Sequence, residues 1–198
     1  MQALIVLYFV KQLGFTDTHA DNLFGAFAAL VFLLPSVGGY IGDRLLGTKR
    51  TIIFGTIVLI ISYASLALSD GENIYIPLAA IAVGVGLFKA NPSSLLSKIY
   101  AGDETKLDGG FTLYYMAVNI GSFLSMALTP TLAAIFGWQF AFAVCAIGLT
   151  VALIIYLIWS GLVKPFGSKP DFEPLNFKKL FLVIGITAAL VCASSWLL

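Results

Sequence analysis

The sequence is poor in the residues that most enzymes and nucleic-acid binders rely on. Among 198 residues there is one histidine, His19, and there are two cysteines, Cys145 and Cys192. A single imidazole excludes a histidine-based metal cluster. Both cysteines lie in apolar runs, where a thiol reads as a small buried hydrophobe rather than a disulfide partner or metal ligand. Charged residues are scarce, at 11%, against about 25% in soluble domains. With a net charge of +1, the chain lacks the basic surface that a phosphate backbone requires, so no nucleic acid is expected as a partner. There is no Gly-rich phosphate loop either; the glycines fall inside apolar stretches, where they permit close helix packing. No paired carboxylates, histidine pair or nucleophile with a base sits at membrane depth. An enzyme is not expected, and neither is a cofactor or metal.

What is present is apolar. Hydrophobic residues make up 60% of the chain, and the mean hydropathy is +0.98. The expectation is an all-α integral membrane protein whose lipid partner is the bilayer, each span needing about 20 residues at about 1.5 Å each. Met1 to Leu13 is apolar but short, and with no basic n-region or cleavage site it reads as a spanning helix whose first half is missing rather than as a signal peptide. Residues 14–20 read as a polar loop. Further spans are expected at Asn22–Gly42, Thr51–Ser69, Tyr75–Tyr100, Gly109–Phe136 and Trp138–Ser160. The turn between the third and fourth is Asp70-Gly71-Glu72-Asn73. A linker follows at 161–176 and another apolar helix at 177–198. Trp138 and Trp159 are spaced by about 32 Å of helix, one for each aromatic belt of a single span.

Loop charge orients these spans. Arg44, Lys49, Arg50, Lys98, Lys106, Lys164, Lys169, Lys178 and Lys179 fall in one set of alternating loops, and Lys11 alone in the other. A nine-to-one bias of basic residues places the first set in the cytoplasm.

Two spans carry polar groups that lipid would not tolerate unaided. Between Ile76 and Lys98 the one charge is Lys89, about 14 residues or roughly 20 Å from Tyr75. At that depth an ammonium in lipid costs at least about 3 kcal/mol, so Lys89 is expected to face a protein interior or a wet cavity. Ala82, Gly86, Lys89, Ser93 and Ser97 follow three- and four-residue steps and form one small, polar face. On the next span Tyr115, Asn119 and Ser122 share a face, and an amide in hydrocarbon needs partners for its hydrogen bonds. Asn119 could serve only as glue between helices. Lys, Asn, Tyr and Ser together suggest a pocket for a polar, partly anionic solute. The charges around Asp43 read, on physics alone, as a solvated anchor.

The run Gly39-Tyr40-Ile41-Gly42-Asp43-Arg44-Leu45-Leu46-Gly47-Thr48-Lys49-Arg50 resembles the loop between the second and third helices of major facilitator transporters. Gly86-Leu87-Phe88-Lys89-Ala90-Asn91 and Tyr114-Tyr115-Met116-Ala117-Val118-Asn119-Ile120-Gly121-Ser122 resemble, more specifically, the proton-dependent oligopeptide transporter family. The resemblance covers residues 1 to about 160, with the motifs in family order. It implies a major facilitator type N-terminal six-helix bundle at 1–160, its first helix truncated, a cytoplasmic linker at 161–176 and the start of a seventh or additional helix at 177–198. The implied activity is proton-coupled symport of di- and tripeptides across a bacterial inner membrane. Lys89 would then couple protons and contact substrate together with Tyr115, Asn119, Phe32 and Ser122. Phe32 stands where many members carry a tyrosine. Asp43, Arg44, Gly47 and Arg50 would gate the cytoplasmic side. Small peptides, protons and a missing C-terminal bundle are the implied partners, because the family's Glu-x-x-Glu-Arg run and its second bundle are absent from the sequence. A carrier of another small solute, a drug or anion, and a non-transport structural membrane protein are the alternatives.

Overall fold

The computed structural model describes residues 8–69 and 74–198. Residues 1–7, which hold most of the expected first span, and the turn at Asp70–Asn73 lie outside the described residues. Residues 8–11 are helical. Helix α1 (Asp17–Tyr40) runs into a π-helical turn (Ile41–Leu45). Then come α2 (Thr48–Ala67), α3 (Tyr75–Ile99), α4 (Glu104–Phe136) and α5 (Trp138–Trp159). A 3-10 turn (Ser160–Val163), the four-residue α6 (Lys169–Phe172) and α7 (Phe177–Leu197) complete the chain. Among the described residues there is no strand, and six helical segments are long and apolar enough to cross a membrane.

Several helices begin earlier than the hydropathy suggests. Helix α1 starts at Asp17 within the supposed loop, α2 at Thr48 and α4 at Glu104. Hydropathy marks the edge of the lipid slab, whereas a helix continues past it wherever its first turn suits polar residues. Asp17 and Glu104 lie in first turns, where the dipole favours negative charge. At α4, Asp103 accepts from the Lys106 backbone N–H at 3.1 Å and pairs with its ammonium at 2.8 Å. The Lys106 side chain, then its backbone N–H, holds the Asp103 carboxyl below the usual carboxylate range. Asn176 caps α7 in the same way, accepting from Lys178 N–H at 3.0 Å. The expected charged loop at 43–50 is likewise mostly helical, since the π turn carries the helix through Asp43 and Arg44.

Helix α3 is the centre of the bundle. Leu78, Ala79, Ile81, Ala82 and Val83 are all buried, and α3 packs against α1, α2 and α7. Lipid tails are as apolar as leucine, so close packing and hydrogen bonds, rather than exclusion from water, hold such helices together. Glycine supplies the close approach. Gly38 of α1 abuts the Gly86 backbone of α3, while Gly55 of α2 lies against Leu87 and Phe88. Asn91, buried on α3, donates Nδ2 to the Gly38 carbonyl at 3.2 Å and to its own Leu87 carbonyl at 2.6 Å. Helix α5 packs on α2, and its start is pinned by Tyr8, whose ring meets Trp138 and Phe142 at 5.2 and 5.1 Å. Helix α4 is the loose member: only Thr129 and Ala133 are buried, close to Gly137, the one residue joining it to α5.

Candidate functional site

Lys89 occupies the fifteenth position of the 25-residue α3, about 21 Å of helix from one end and about 15 Å from the other. The small, polar face expected on α3 divides in two. Ala82 and Gly86 are buried in the helix contact, whereas Lys89 and Ser97 are exposed and Ser93 is half-buried. The Lys89 ammonium lies over the Phe32 ring of α1, 5.0 Å from its centroid. A cation over an aromatic face is attracted by the ring quadrupole, by about 0.5–1 kcal/mol at an exposed site. The absence of a hydroxyl at position 32 therefore leaves Lys89 with an aromatic neighbour rather than a hydrogen-bonding one.

A cleft of about 400 Å³ surrounds this pair, walled by Phe32 and Pro35 of α1, Lys89 and Ser93 of α3, and Tyr114 and Tyr115 of α4. It brings together three of the residues expected to contact substrate, Phe32, Lys89 and Tyr115, and Ser93 of the polar face. Asn119 lies one turn further along α4 and donates to the Tyr115 carbonyl at 2.9 Å. Asn119 and Ser122 are exposed on the same side as Tyr115, which is itself 56% exposed. In a span of membrane length, an exposed row of Tyr, Asn and Ser is a polar stripe facing away from its own bundle.

The gating candidates sit at the helix ends. Asp43, in the π turn, pairs with Lys98 at the end of α3 at 2.7 Å. The same ammonium donates to Thr48 Oγ1 at 2.8 Å and Ser94 Oγ at 2.9 Å. Arg44 is exposed. Gly47 has φ of +107°, and a Cβ there would collide with the Asp171 carboxylate. Arg50 donates to the Pro170 and Glu173 carbonyls at 3.0 and 2.7 Å.

That last contact belongs to a clasp that the sequence reading missed. Ser168 Oγ accepts from Thr48 N–H at 2.9 Å and donates to the Gly42 carbonyl at 2.7 Å. Asp171 accepts from Lys49 N–H at 3.1 Å and reaches back to Ser168 N–H at 2.9 Å. One carboxylate thus caps two helix starts, α2 and α6. The local signal was legible as Ser168-Lys-Pro-Asp171, a serine with an acid three residues on and a proline in the first turn. Its remote target carried no such mark. Lys98 as the partner of Asp43, and Asn91 as the bond between α1 and α3, were also missed.

The POT family model matches residues 49–196. Dipeptide and tripeptide permease A of Salmonella typhi is 50% identical over 200 residues, an alignment covering 100% of this chain and 40% of the permease. The permease of the same name from Escherichia coli (strain K12) is also 50% identical, with 40% of its length covered. The crystal structure of tetrameric PepTSo2 superimposes with a TM-score of 0.91 at 43% identity, over 98% of this chain and 44% of that one. A structure described under substrate recognition in proton dependent oligopeptide transporters gives 0.83 at 40% identity, with 98% and 44% covered. The chain therefore spans about 40% of the length of the curated relatives it matches. Its relatives are bacterial permeases rather than enzymes, and with six membrane-length helices among its described residues it is a multi-pass protein of a bacterial inner membrane. On a family model covering most of its length and a fold shared with peptide transporters, the chain belongs to the POT family.

Proposed function

We propose that this chain forms the first bundle of a proton-coupled symporter of di- and tripeptides. In this reading residues 1–160 are the bundle, 161–176 a cytoplasmic linker and 177–198 an additional helix. The observation that carries it is Lys89: a cation at mid-span, exposed over Phe32 in a cleft that it shares with Tyr115. A dipeptide carries a carboxylate, an amine and at least one amide. Lys89 offers a charge for the carboxylate, while Tyr115, Asn119 and Ser122 offer hydrogen bonds to the backbone. A second bundle completes the site from the exposed side of α1 and α4, because a midplane site between two rocking halves needs both walls. Asp43, Arg44, Gly47 and Arg50 belong to the face that closes against that second bundle on the cytoplasmic side.

Lys89 also links binding to protons. A cation at this depth is tolerable when an acidic group or a wet cavity compensates it. Protonating such a partner carboxylate releases the ammonium and alters the packing around α3. In the two-bundle transporter, Lys89→Ala is expected to reduce gradient-driven dialanine accumulation to background while measurable peptide binding persists. Lys89→Arg restores accumulation only in part, since a planar guanidinium hardly titrates and has a different reach. Uptake and binding are measured on the same reconstituted variants. Accumulation by Lys89→Ala at the wild-type level would reduce Lys89 to a structural cation and remove this reading.

A further inference from the structure

Residues 161–176 carry the chain from the end of α5 to the start of α7, both of membrane-spanning length. A short connector between two spans is confined to the level of one membrane surface. This one does not hang free. Two cations of α2 are spent on its backbone: the Lys49 ammonium donates to the Lys164 carbonyl at 2.9 Å, and Arg50 grips the Pro170 and Glu173 carbonyls. Its acids are spent as well. Asp171 caps α2 and α6, and Glu173 faces Lys179 at 3.8 Å. Lys164, Lys169 and Lys178 are left exposed, with no carboxylate at ion-pair distance among the described residues. Along the same stretch of chain four apolar side chains are exposed too: Leu162, Phe172, Leu175 and Phe177. Leu175, Phe177 and Lys178 share the wall of an open cleft of about 600 Å³ with Glu173, Pro174 and Asn176.

We propose that the linker and the first turn of α7 form a docking surface for acidic phospholipid. Lys164, Lys169 and Lys178 neutralise the headgroup phosphates, and the four apolar side chains enter the acyl boundary beneath them. Charge complementarity selects this occupant, because an anionic leaflet attracts basic residues that lie beside a span. The apolar residues narrow the choice further. A soluble polyanion would satisfy the lysines and leave two leucines and two phenylalanines in water. At a bilayer surface one molecule meets both needs, as it does for amphipathic segments rich in lysine on one side and Phe or Leu on the other. Lysine also suits this level, since its stem runs along apolar surface while the ammonium stays among headgroups. The clasp contributes by holding the backbone between Lys164 and Lys169 in place before lipid arrives, and a pre-ordered segment avoids the ordering cost that a free loop would incur. This surface is separate from the Lys89 cleft and does not depend on what the protein transports.

The test uses two photoreactive phospholipids with the same acyl chains and a diazirine beside the glycerol backbone, one a phosphatidylglycerol and the other a phosphatidylcholine. Each is doped at the same low level into phosphatidylethanolamine bilayers holding the unmodified protein, and the label is mapped by peptide mass spectrometry. One lysine near an acidic surface supplies about fivefold in preference, so phosphatidylglycerol is expected to label Phe172, Leu175 and Phe177 at least about fivefold more strongly. Trp196 and Leu197, exposed at the far end of α7, take label equally from both. Molar salt, which shortens the screening length to about 3 Å, erases the preference. Lys164→Gln, Lys169→Gln and Lys178→Gln together bring the ratio close to one, and Lys106→Gln, exposed in another loop, leaves it unchanged. Equal labelling of the linker by the two lipids in the unmodified protein would overturn the acidic-lipid site, and no labelling by either would overturn its contact with the membrane. A preference that survives the triple substitution would transfer the site to other basic residues and overturn this assignment. Loss of label on adding glycerol phosphate at matched ionic strength would assign a soluble phosphate and overturn the lipid. The comparison of the two lipids is made before any substitution, so a variant that fails to fold leaves the decision intact.

Discussion

At the residue scale the tightest constraint falls on small side chains, not on charged ones. Gly42 lies against the Asn91 side chain, so that a Cβ at position 42 would run into Oδ1, and a Cβ on Gly86 would strike Leu34. Asn91 Oδ1 has no hydrogen-bond partner among the described residues, while its Nδ2 holds Gly38. Any shift that relieves a new methyl group therefore also breaks the one side-chain bond between α1 and α3. Gly42→Ala is expected to destabilise the detergent-solubilised protein by about 1–3 kcal/mol, the usual penalty for overpacking, read as a lowered thermal unfolding midpoint. Gly25→Ala, where added bulk meets open space, is expected to leave the midpoint within experimental scatter. An unchanged midpoint for Gly42→Ala would show that the crossing has slack. Lys89 is the opposite kind of residue. Its surroundings are open, and its importance in the proposed cycle comes from charge rather than fit.

At the element scale, the hydropathy of the chain anticipated the spans well, because a run of apolar residues long enough to cross lipid has few other fates. Helix ends were less legible, since Asp17, Thr48 and Glu104 extend helices into water, where hydropathy is silent. Lys89 was recognisable from its depth alone, and Phe32 and Tyr115 do meet it across one cleft. The division of the α3 face between packing and cleft was not recognisable, because periodicity places residues on one side without saying which neighbour covers them. The clasp was the least legible feature. Ser168 and Asp171 bond to Thr48 and Lys49, and one-off polar contacts between distant segments leave no periodic trace. Asp171→Ala is expected to release the segment around α6. Losing hydrogen bonds to a charged acceptor costs about 1.5–3 kcal/mol each, and here a buried helix start loses its cap as well. Limited chymotrypsin digestion checks this, with cleavage after Phe166 and the exposed Phe172 speeding up by about tenfold or more for a loss of that size. Equal digestion of variant and parent would mean that Arg50 and Lys49 hold the segment unaided.

At the scale of the whole molecule, the hydrogen bonds agree with the charge count. Asp43 meets Lys98, and Thr48 meets both Lys98 and Ser168, so the three basic loops gather at one end of the bundle. Cysteine substitutions in a background lacking Cys145 and Cys192 test which side that end faces. Lys106→Cys, at an exposed position beyond α3, is expected to react with an impermeant maleimide only after cells are permeabilised. Gln139→Cys, exposed at the opposite end, is expected to react in intact cells. Reversed labelling would invert the molecule in its membrane. The clasp also imposes a schedule on biosynthesis. Thr48 and Ser168 are separated by 120 residues, and a ribosome working at about 5–20 residues per second takes about 6–24 s to make that stretch. Throughout that interval the start of α2 has left the ribosome without the serine and aspartate that will cap it. Until α6 emerges, the nascent bundle therefore stays uncapped at that end, and slow codons upstream of residue 168 would prolong that exposure.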